Sequence, residues 1–189
     1  MTKRNCGGCT LCCRLLPVRE LGKGSNERCT HQRSGKGCAV YDKLFRVSPS
    51  CCLWNCRWLV NDDTAELRRP DRSHYVLDIM PDFITITDDD DPDHKSNVEI
   101  VQVWVDPKFP DAYKDPALLD YLRRRGEEGI AALIRYSARD AFVLFPPAMT
   151  GSGEFVEHRS GIRGGEHTPA EVIAGITTSS RVKVGIENE

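Results

Sequence analysis

Cysteine is absent from most of this 189-residue chain, because no residue after position 56 is a cysteine. Long apolar runs are also absent: no stretch approaches the roughly 18–20 apolar residues that a membrane helix needs, so no membrane span is expected. The basic start is not followed by the apolar segment of a signal peptide, which predicts a cytoplasmic protein. The HExxH pattern of catalytic zinc sites is absent too, and no catalytic residue is assigned.

The cysteines that are present crowd into the first part of the chain, and the charge changes sign at nearly the same place. Residues 1–60 carry eleven Lys and Arg against three Asp and Glu, whereas the remainder carries fifteen against twenty-five. Both changes predict a boundary near residue 60. We therefore expect a cysteine-rich metal-binding module over residues 1–60 and a second module over residues 61–189.

The first module is predicted to be loop-rich and held together by metal. Glycines interrupt it throughout, and a segment this short cannot bury enough apolar surface to fold unaided. Disulfides are disfavoured because thiols stay reduced in the cytoplasm. Metal–thiolate bonds are the cross-links that remain available there.

The second module has the pattern of a mixed α+β fold, so the fold class predicted for the whole chain is α+β. Asp115 and Pro116 are typical of a helix start, and Gly126 is expected to end that helix. The last residues could form a loose tail or an edge strand. The strands predicted from apolar and β-branched patterns cover residues 74–80, 82–87, 98–106, 140–145 and 154–160. Two further helices are predicted over residues 127–137 and 168–176.

The spacing of the first cysteines is compatible with two kinds of metal chemistry. Cys6-x2-Cys9 is the turn that zinc ribbons use to aim two thiolates at one ion. Extended to Cys12, the same run matches the three-cysteine spacing of bacterial ferredoxins. Adjacent Cys12 and Cys13 point in different directions, which favours two sites or one polynuclear cluster. Zinc and an iron–sulfur cluster both remain open at this point.

The complete cysteine pattern resembles the YkgJ-like, or CxxCxxCC, cysteine-cluster family. The matching stretches are CGGCTLCC at 6–13, Cys29, the GCAVY segment at 37–41 and the CCLWNC ending at 51–56. The chain departs from the family where Ser48-Pro49 replaces an Arg-Pro pair. The resemblance implies a zinc- or iron-chelating domain, and its spacing favours Cys51 over Cys52 as a ligand. The ligands that it implies are Cys6, Cys9, Cys12, Cys13, Cys29, Cys38, Cys51 and Cys56.

Bound thiolates would need positive neighbours, since eight thiolates with two zinc ions carry a formal charge of about −4. The basic charge of residues 1–60 is expected to serve this purpose rather than nucleic-acid binding, which the acidic second module also disfavours. Trp54 and Trp58 are expected to shield the metal from water. The basic residues close to cysteines in sequence are Arg4, Arg14, Lys36, Arg46 and Arg57.

The sequence thus predicts a metal-binding protein whose metal is structural or presents a surface to an unidentified protein partner. An iron–sulfur electron-transfer protein is the first alternative. A zinc-stabilised nucleic-acid-binding module is the second.

Overall fold

The computed structural model of the protein describes residues 4–87, 93, 95–159, 162–163 and 182–184. The chain divides into two compact units. The first comprises Met1–Met80 and Val103–Leu119, and the second comprises Pro81–Gln102 and Asp120–Glu189. Helices and a mixed sheet are both present, which confirms the α+β class.

The first unit is built from short elements joined by turns. Helices of four or five residues cannot persist alone in water, so their conformation depends on what they pack against. They are α1 (Cys12–Leu15), α2 (Leu44–Val47), α3 (Pro49–Leu53), α4 (Arg57–Val60) and α5 (Pro70–Ser73). The short strands are β1 (Gln32–Arg33), β2 (Gly37–Cys38) and β3 (Tyr75–Leu77), and 3₁₀ turns lie at Arg19–Leu21, Tyr41–Lys43, Asp62–Thr64 and Pro110–Lys114.

The second unit is dominated by strands. Its elements are β4 (Asp82–Thr87), β5 (Lys95–Val105), α6 (Pro116–Glu127), β6 (Ala131–Arg135), β7 (Ala141–Phe145), a 3₁₀ turn at Pro147–Met149, β8 (Val156–His158), β9 (Ile162–Arg163) and β10 (Val182–Val184). The last residues of β5 and the first residues of α6 belong to the first unit. None of the helices in the described residues has the length and apolar character needed to cross a bilayer.

The main sheet has the strand order β8-β7-β6-β5-β4-β10-β9. The strands β4 and β5 pair antiparallel, as do β6 with β7 and β7 with β8, whereas β10 runs parallel to β4. In the first unit, β3 pairs antiparallel with the end of β5 and places Val76 opposite Trp104. A buried cluster in the second unit joins β4, β5, β6 and β7 through Ile84, Ile100, Ala131, Leu133 and Val143.

Most of the predicted strands are confirmed. The predictions over 74–80, 82–87, 140–145 and 154–160 correspond to β3, β4, β7 and β8. The strand predicted over 98–106 is β5, and residues 100–105 are all buried, as a strand covered on both faces requires.

The helix predicted from Asp115 and Pro116 is α6, and its start has the expected cap. The Asp115 side chain accepts a 3.1 Å hydrogen bond from the backbone N–H of Ala117. Gly126 does not end the helix, which continues to Glu127 and terminates at Gly129 with φ of 80°. A Cβ on Gly126 would lie 2.4 Å from Cβ of Pro146, so this glycine permits close packing rather than a break.

The second helix predicted over 127–137 is wrong, because this segment forms β6 after a turn. The backbone N–H of Ile130 donates to the carbonyl of Arg125 at 3.0 Å, and that of Gly129 donates to Gly126 at 3.0 Å. These two bonds form a Schellman motif that closes α6. All five residues of β6 are buried, and the apolar run from Ala131 to Ile134 has no period that separates strand from helix.

Two predictions concern the end of the chain. The helix predicted over 168–176 lies outside the described residues. Residues Val182–Val184 form β10, which lies between β4 and β9 and is therefore an inner strand rather than an edge strand.

Candidate metal centre

Close glycine contacts position the first cysteine turn. Residues 6–9 form a turn in which the backbone N–H of Cys9 donates to the carbonyl of Cys6 at 2.8 Å. A Cβ on Gly8 would lie 2.5 Å from the carbonyl oxygen of Gly35, in the loop between β1 and β2. A Cβ on Gly37 would lie 2.6 Å from the carbonyl oxygen of Gly7. The turn and the β1–β2 hairpin can approach this closely only because both backbones lack side chains there.

Four of the predicted ligands surround one small cavity. The cavity has a volume of about 20 Å³, and its walls include Trp58 and Pro70 beside the cysteines. It is completed by Leu59 and Val76, the latter from β3. We call its cysteines the first thiol group; they are Cys6, Cys9, Cys12 and Cys56.

Electrostatic effects within the first thiol group show that its members are neighbours. Burial raises the pKa of Cys6, and the nearby charges of Cys9 and Cys13 raise it further. Burial likewise raises the pKa of Cys56 to about 12, with smaller contributions from Cys9 and Cys6. Crowded thiols of this kind resist ionisation unless a cation joins them.

The remaining predicted ligands form a second neighbourhood. Burial raises the pKa values of Cys38 and Cys51, and the charges of Cys13 and Cys29 raise both further. The backbone N–H of Cys29 also donates to the carbonyl of Cys13 at 3.1 Å. We call these residues the second thiol group; they are Cys13, Cys29, Cys38 and Cys51.

Cys12 and Cys13 connect the two groups. Their side chains are hydrogen-bonded, which raises the pKa of Cys12 well above its usual value and lowers that of Cys13 to about 7. The two residues begin α1. Cys12 lines the cavity of the first thiol group, whereas the charge of Cys13 acts on Cys38 and Cys51 of the second and also on Cys6 of the first. The sequence prediction of two sites or one polynuclear cluster stays a prediction.

Backbone N–H groups point at several of the sulfurs. Burial raises the pKa of Cys9, and hydrogen bonds from the backbones of Leu11 and Asp71 lower it. Trp58 and Leu59 supply the same kind of bond to Cys56, and Val40 supplies one to Cys38. Donors placed two residues after a cysteine stabilise its thiolate form.

The ninth cysteine stands apart from both groups. Cys52 is exposed, whereas Cys51 is partly buried and interacts with the side chain of Ser48. The charges of Cys13 and Cys29 act on Cys51, which places Cys51 in the second thiol group. The choice of Cys51 over Cys52 as a ligand stays a prediction.

The thiols do not converge on a point. All nine cysteines are free, and the described residues contain no set of three or more Cys, His, Asp or Glu side chains placed to hold one metal ion. The four thiols of the first group line their cavity without closing around its centre. The donor set nevertheless suits a soft or borderline metal, since thiolate sulfur is the preferred ligand of zinc and of iron–sulfur clusters.

The cation beside the second thiol group is Lys23, which the sequence prediction missed. Lys23 is only 7% exposed. Its Nζ donates hydrogen bonds to three backbone carbonyls, those of Leu16, Arg14 (3.2 Å) and Gly24 (3.1 Å). Burial lowers its pKa, and the charges of Cys29 and Cys13 oppose that effect. A lysine after a glycine in a loop gives no sequence signal that it is buried.

Arg69 has the corresponding position beside the first thiol group. Its positive charge lowers the pKa values of Cys6 and Cys9, which burial raises. The guanidinium also binds the carboxylate of Asp71 through two hydrogen bonds of 2.6 and 2.8 Å. Arg69 lies beyond residue 60, so it was not among the predicted positive neighbours.

Four of the five basic residues that were predicted to neutralise the metal have described surroundings. Arg4 donates to the hydroxyl of Thr64 at 2.9 Å and stacks over the ring of Trp58, and Arg14 pairs with the buried Asp106. Lys36 and Arg46 are exposed.

An apolar cluster covers the first thiol group. Its buried members are Leu11, Leu15, Cys56, Val76 and Trp104, and Trp54 and Trp58 pack against it. Trp58 also lines the cavity and donates from Nε1 to the carbonyl of Leu67 at 2.9 Å. The predicted shielding role of the two tryptophans is consistent with these contacts.

No family model, curated protein or solved structure matches this chain. The resemblance to the YkgJ-like family therefore depends on the cysteine order and the short segments around it, and function must be argued from the site.

Proposed function

We propose that this protein binds two zinc ions through its N-terminal cysteines. One ion is assigned to the first thiol group and the other to the second. The observation that carries the proposal is the small cavity whose walls bring together Cys6, Cys9 and Cys12 from one stretch of the chain and Cys56 from another. Four sulfur ligands without an open position are typical of structural zinc sites.

The size of the cavity favours zinc over an iron–sulfur cluster. Its volume of about 20 Å³ compares with the roughly 10–15 Å³ that one water-sized sphere occupies. A single ion fits in such a space, whereas a cubane cluster of four irons and four sulfides needs the walls to move apart. The pairing of Cys12 and Cys13 with different groups also favours two separate ions.

The role that we propose for the zinc is to hold the loop-rich first unit in shape and so to present its surface to a partner. The five short helices of this unit lack the length for independent stability. Free thiols and bound zinc persist together in a reducing compartment, so we infer a cytoplasmic location.

Metal analysis of untagged protein purified without oxygen tests the proposal. We expect a colourless protein with two zinc ions per chain and no acid-labile sulfide. A brown protein with matched iron and sulfide would overturn the zinc assignment and favour the electron-transfer alternative. A protein that contains no metal and gains none from added zinc would overturn metal binding itself.

Single cysteine variants test the division into two groups. Cys9→Ser and Cys38→Ser should each reduce the zinc content from two ions to one, because each removes a ligand from a different group. Cys52→Ser is the matched control and should keep both ions. Loss of both ions in either of the first two variants, or of one ion in the control, would contradict the assignment. Cobalt substitution adds a spectroscopic check, since tetrahedral thiolate sites give intense absorption.

A further inference from the structure

Much of the positive charge close to the cysteines in sequence lies on exposed side chains. Five basic side chains between residues 28 and 46 have no ion pair or side-chain hydrogen bond within the part of the chain that the structure describes. Asp42 is the only acidic residue in the same segment. The five residues are Arg28, Arg33, Lys36, Lys43 and Arg46.

These five side chains are exposed, whereas the two cations found beside the thiol groups are Lys23, which is buried, and Arg69, which pairs with Asp71. The charge of residues 28–46 is therefore available to a ligand outside the chain. A segment this basic attracts polyanions, and the attraction is stronger at low salt.

Two aromatic rings are exposed within the same segment. Tyr41 is 59% exposed and Phe45 is 75% exposed, the highest values among the exposed large hydrophobic residues. They lie four residues apart along a helical run in which the 3₁₀ turn at Tyr41–Lys43 leads directly into α2. Lys43 and Arg46 lie next to these rings in sequence, so exposed aromatic and basic side chains interleave along this short stretch.

We propose that residues 28–46 form a binding surface for single-stranded nucleic acid. Exposed bases stack on the rings of Tyr41 and Phe45, while the five cations bind the phosphates. The rings favour a single strand over a duplex, because the bases of a duplex are stacked on each other and cannot stack on protein side chains. The zinc proposal places Cys29 and Cys38 within this segment, but the nucleic-acid surface itself rests on the exposed residues.

Fluorescence anisotropy with labelled oligouridine and oligothymidine of about 20 nucleotides tests the surface. We expect binding at about 50 mM salt and a decrease in affinity as salt rises, with a log–log slope of about −3 to −4 if all five cations contact phosphates. A duplex of the same length should bind at least tenfold more weakly. Heparin serves as a polyanion without bases.

Two pairs of substitutions separate stacking from charge. Tyr41→Ser with Phe45→Ser should weaken binding by about tenfold or more and leave the salt slope unchanged. Lys43→Gln with Arg46→Gln should weaken binding and reduce the magnitude of the slope by about 1.4. Lys95→Gln with Lys108→Gln removes the same charge from exposed positions elsewhere and should change neither quantity.

Zinc content and circular dichroism of every variant show whether it is folded and metal-loaded. A protein that binds no single strand at low salt overturns the surface. Equal binding of duplex, heparin and single strand, with no effect of the tyrosine and phenylalanine substitutions, overturns it as well. Failure of the zinc proposal would appear separately, as a wild-type protein without zinc.

Discussion

The indole Nε1 of Trp54 donates a 2.8 Å hydrogen bond to Oδ1 of Asp78. The same carboxylate oxygen accepts a 2.9 Å bond from the backbone N–H of Met80. Asp78 is 9% exposed and forms an isolated β-bridge with Cys56, a member of the first thiol group. The pair therefore anchors the end of the cysteine segment to the chain that follows β3.

Trp54→Phe should lower the free energy of unfolding of the zinc-loaded protein by about 2 kcal/mol. A buried carboxylate loses one donor, and such charge-assisted bonds contribute about 1.5–3 kcal/mol. Urea denaturation measures the change. Tyr41→Phe, at an exposed ring, is the control and should leave stability unchanged. A loss in Trp54→Phe no larger than in the control would show that this bond does not anchor the segment.

Lys23 and Arg69 should each support a different zinc ion. Lys23→Gln is expected to weaken zinc binding at the second thiol group by about tenfold or more, because residues that support metal ligands contribute on that scale. Arg69→Gln should weaken the first group by less, since Arg69 is partly exposed and already paired with Asp71.

Chelator competition measures the two effects separately if each substitution is introduced into a protein that retains only one of the two thiol groups. The Cys6→Ser/Cys9→Ser background keeps the second group, and Cys29→Ser/Cys38→Ser keeps the first. If Lys23→Gln and Arg69→Gln weakened both groups equally, neither cation would belong to a particular ion.

Gly8→Ala should destabilise the protein although the change adds only one methyl group. The added Cβ would lie 2.5 Å from the carbonyl oxygen of Gly35, so the cysteine turn and the hairpin loop must separate. We expect a loss of about 2 kcal/mol, as for overpacking elsewhere. Gly151→Ala is a matched control, because a Cβ there meets nothing within 4 Å. Thermal unfolding of zinc-loaded protein compares them, and equal Tm values would refute the close contact.

Tyr75→Phe should remove part of the alkaline sensitivity of the fold. Tyr75 is 2% exposed, and burial raises its pKa well above 10, with a further increase from the charge of Asp115. The folded pKa exceeds the unfolded one, so stability is fully present below pH 10 and is lost as pH rises above it.

Urea denaturation of the wild-type and Tyr75→Phe proteins from neutral to alkaline pH measures this difference. The Ser73 hydroxyl slightly opposes the increase in pKa, yet the Tyr75 hydroxyl has no hydrogen bond of good geometry within the described residues. The substitution should therefore cost little at neutral pH. Parallel loss of stability in both proteins above pH 10 would exclude Tyr75 as the cause.

The sequence by itself determined the elements whose signals are local. The Asp115–Pro116 start of α6 follows from capping chemistry, and β4, β5 and β7 follow from runs of apolar and β-branched residues. It also confined any thiol chemistry to residues 6–56, because every cysteine lies there. These conclusions need only neighbouring residues, so no knowledge of the fold was necessary.

Only the tertiary structure decided which distant residues meet. The run that forms β6 has no period that distinguishes strand from helix, and the turn at Gly129 with the packing of the sheet settled it. The division of the cysteines into two groups, the burial of Lys23 and the position of Arg69 depend on chain crossings such as that of Gly8 with Gly35. Spacing along the chain cannot supply such information, because a close contact between distant segments is set by how the whole unit packs.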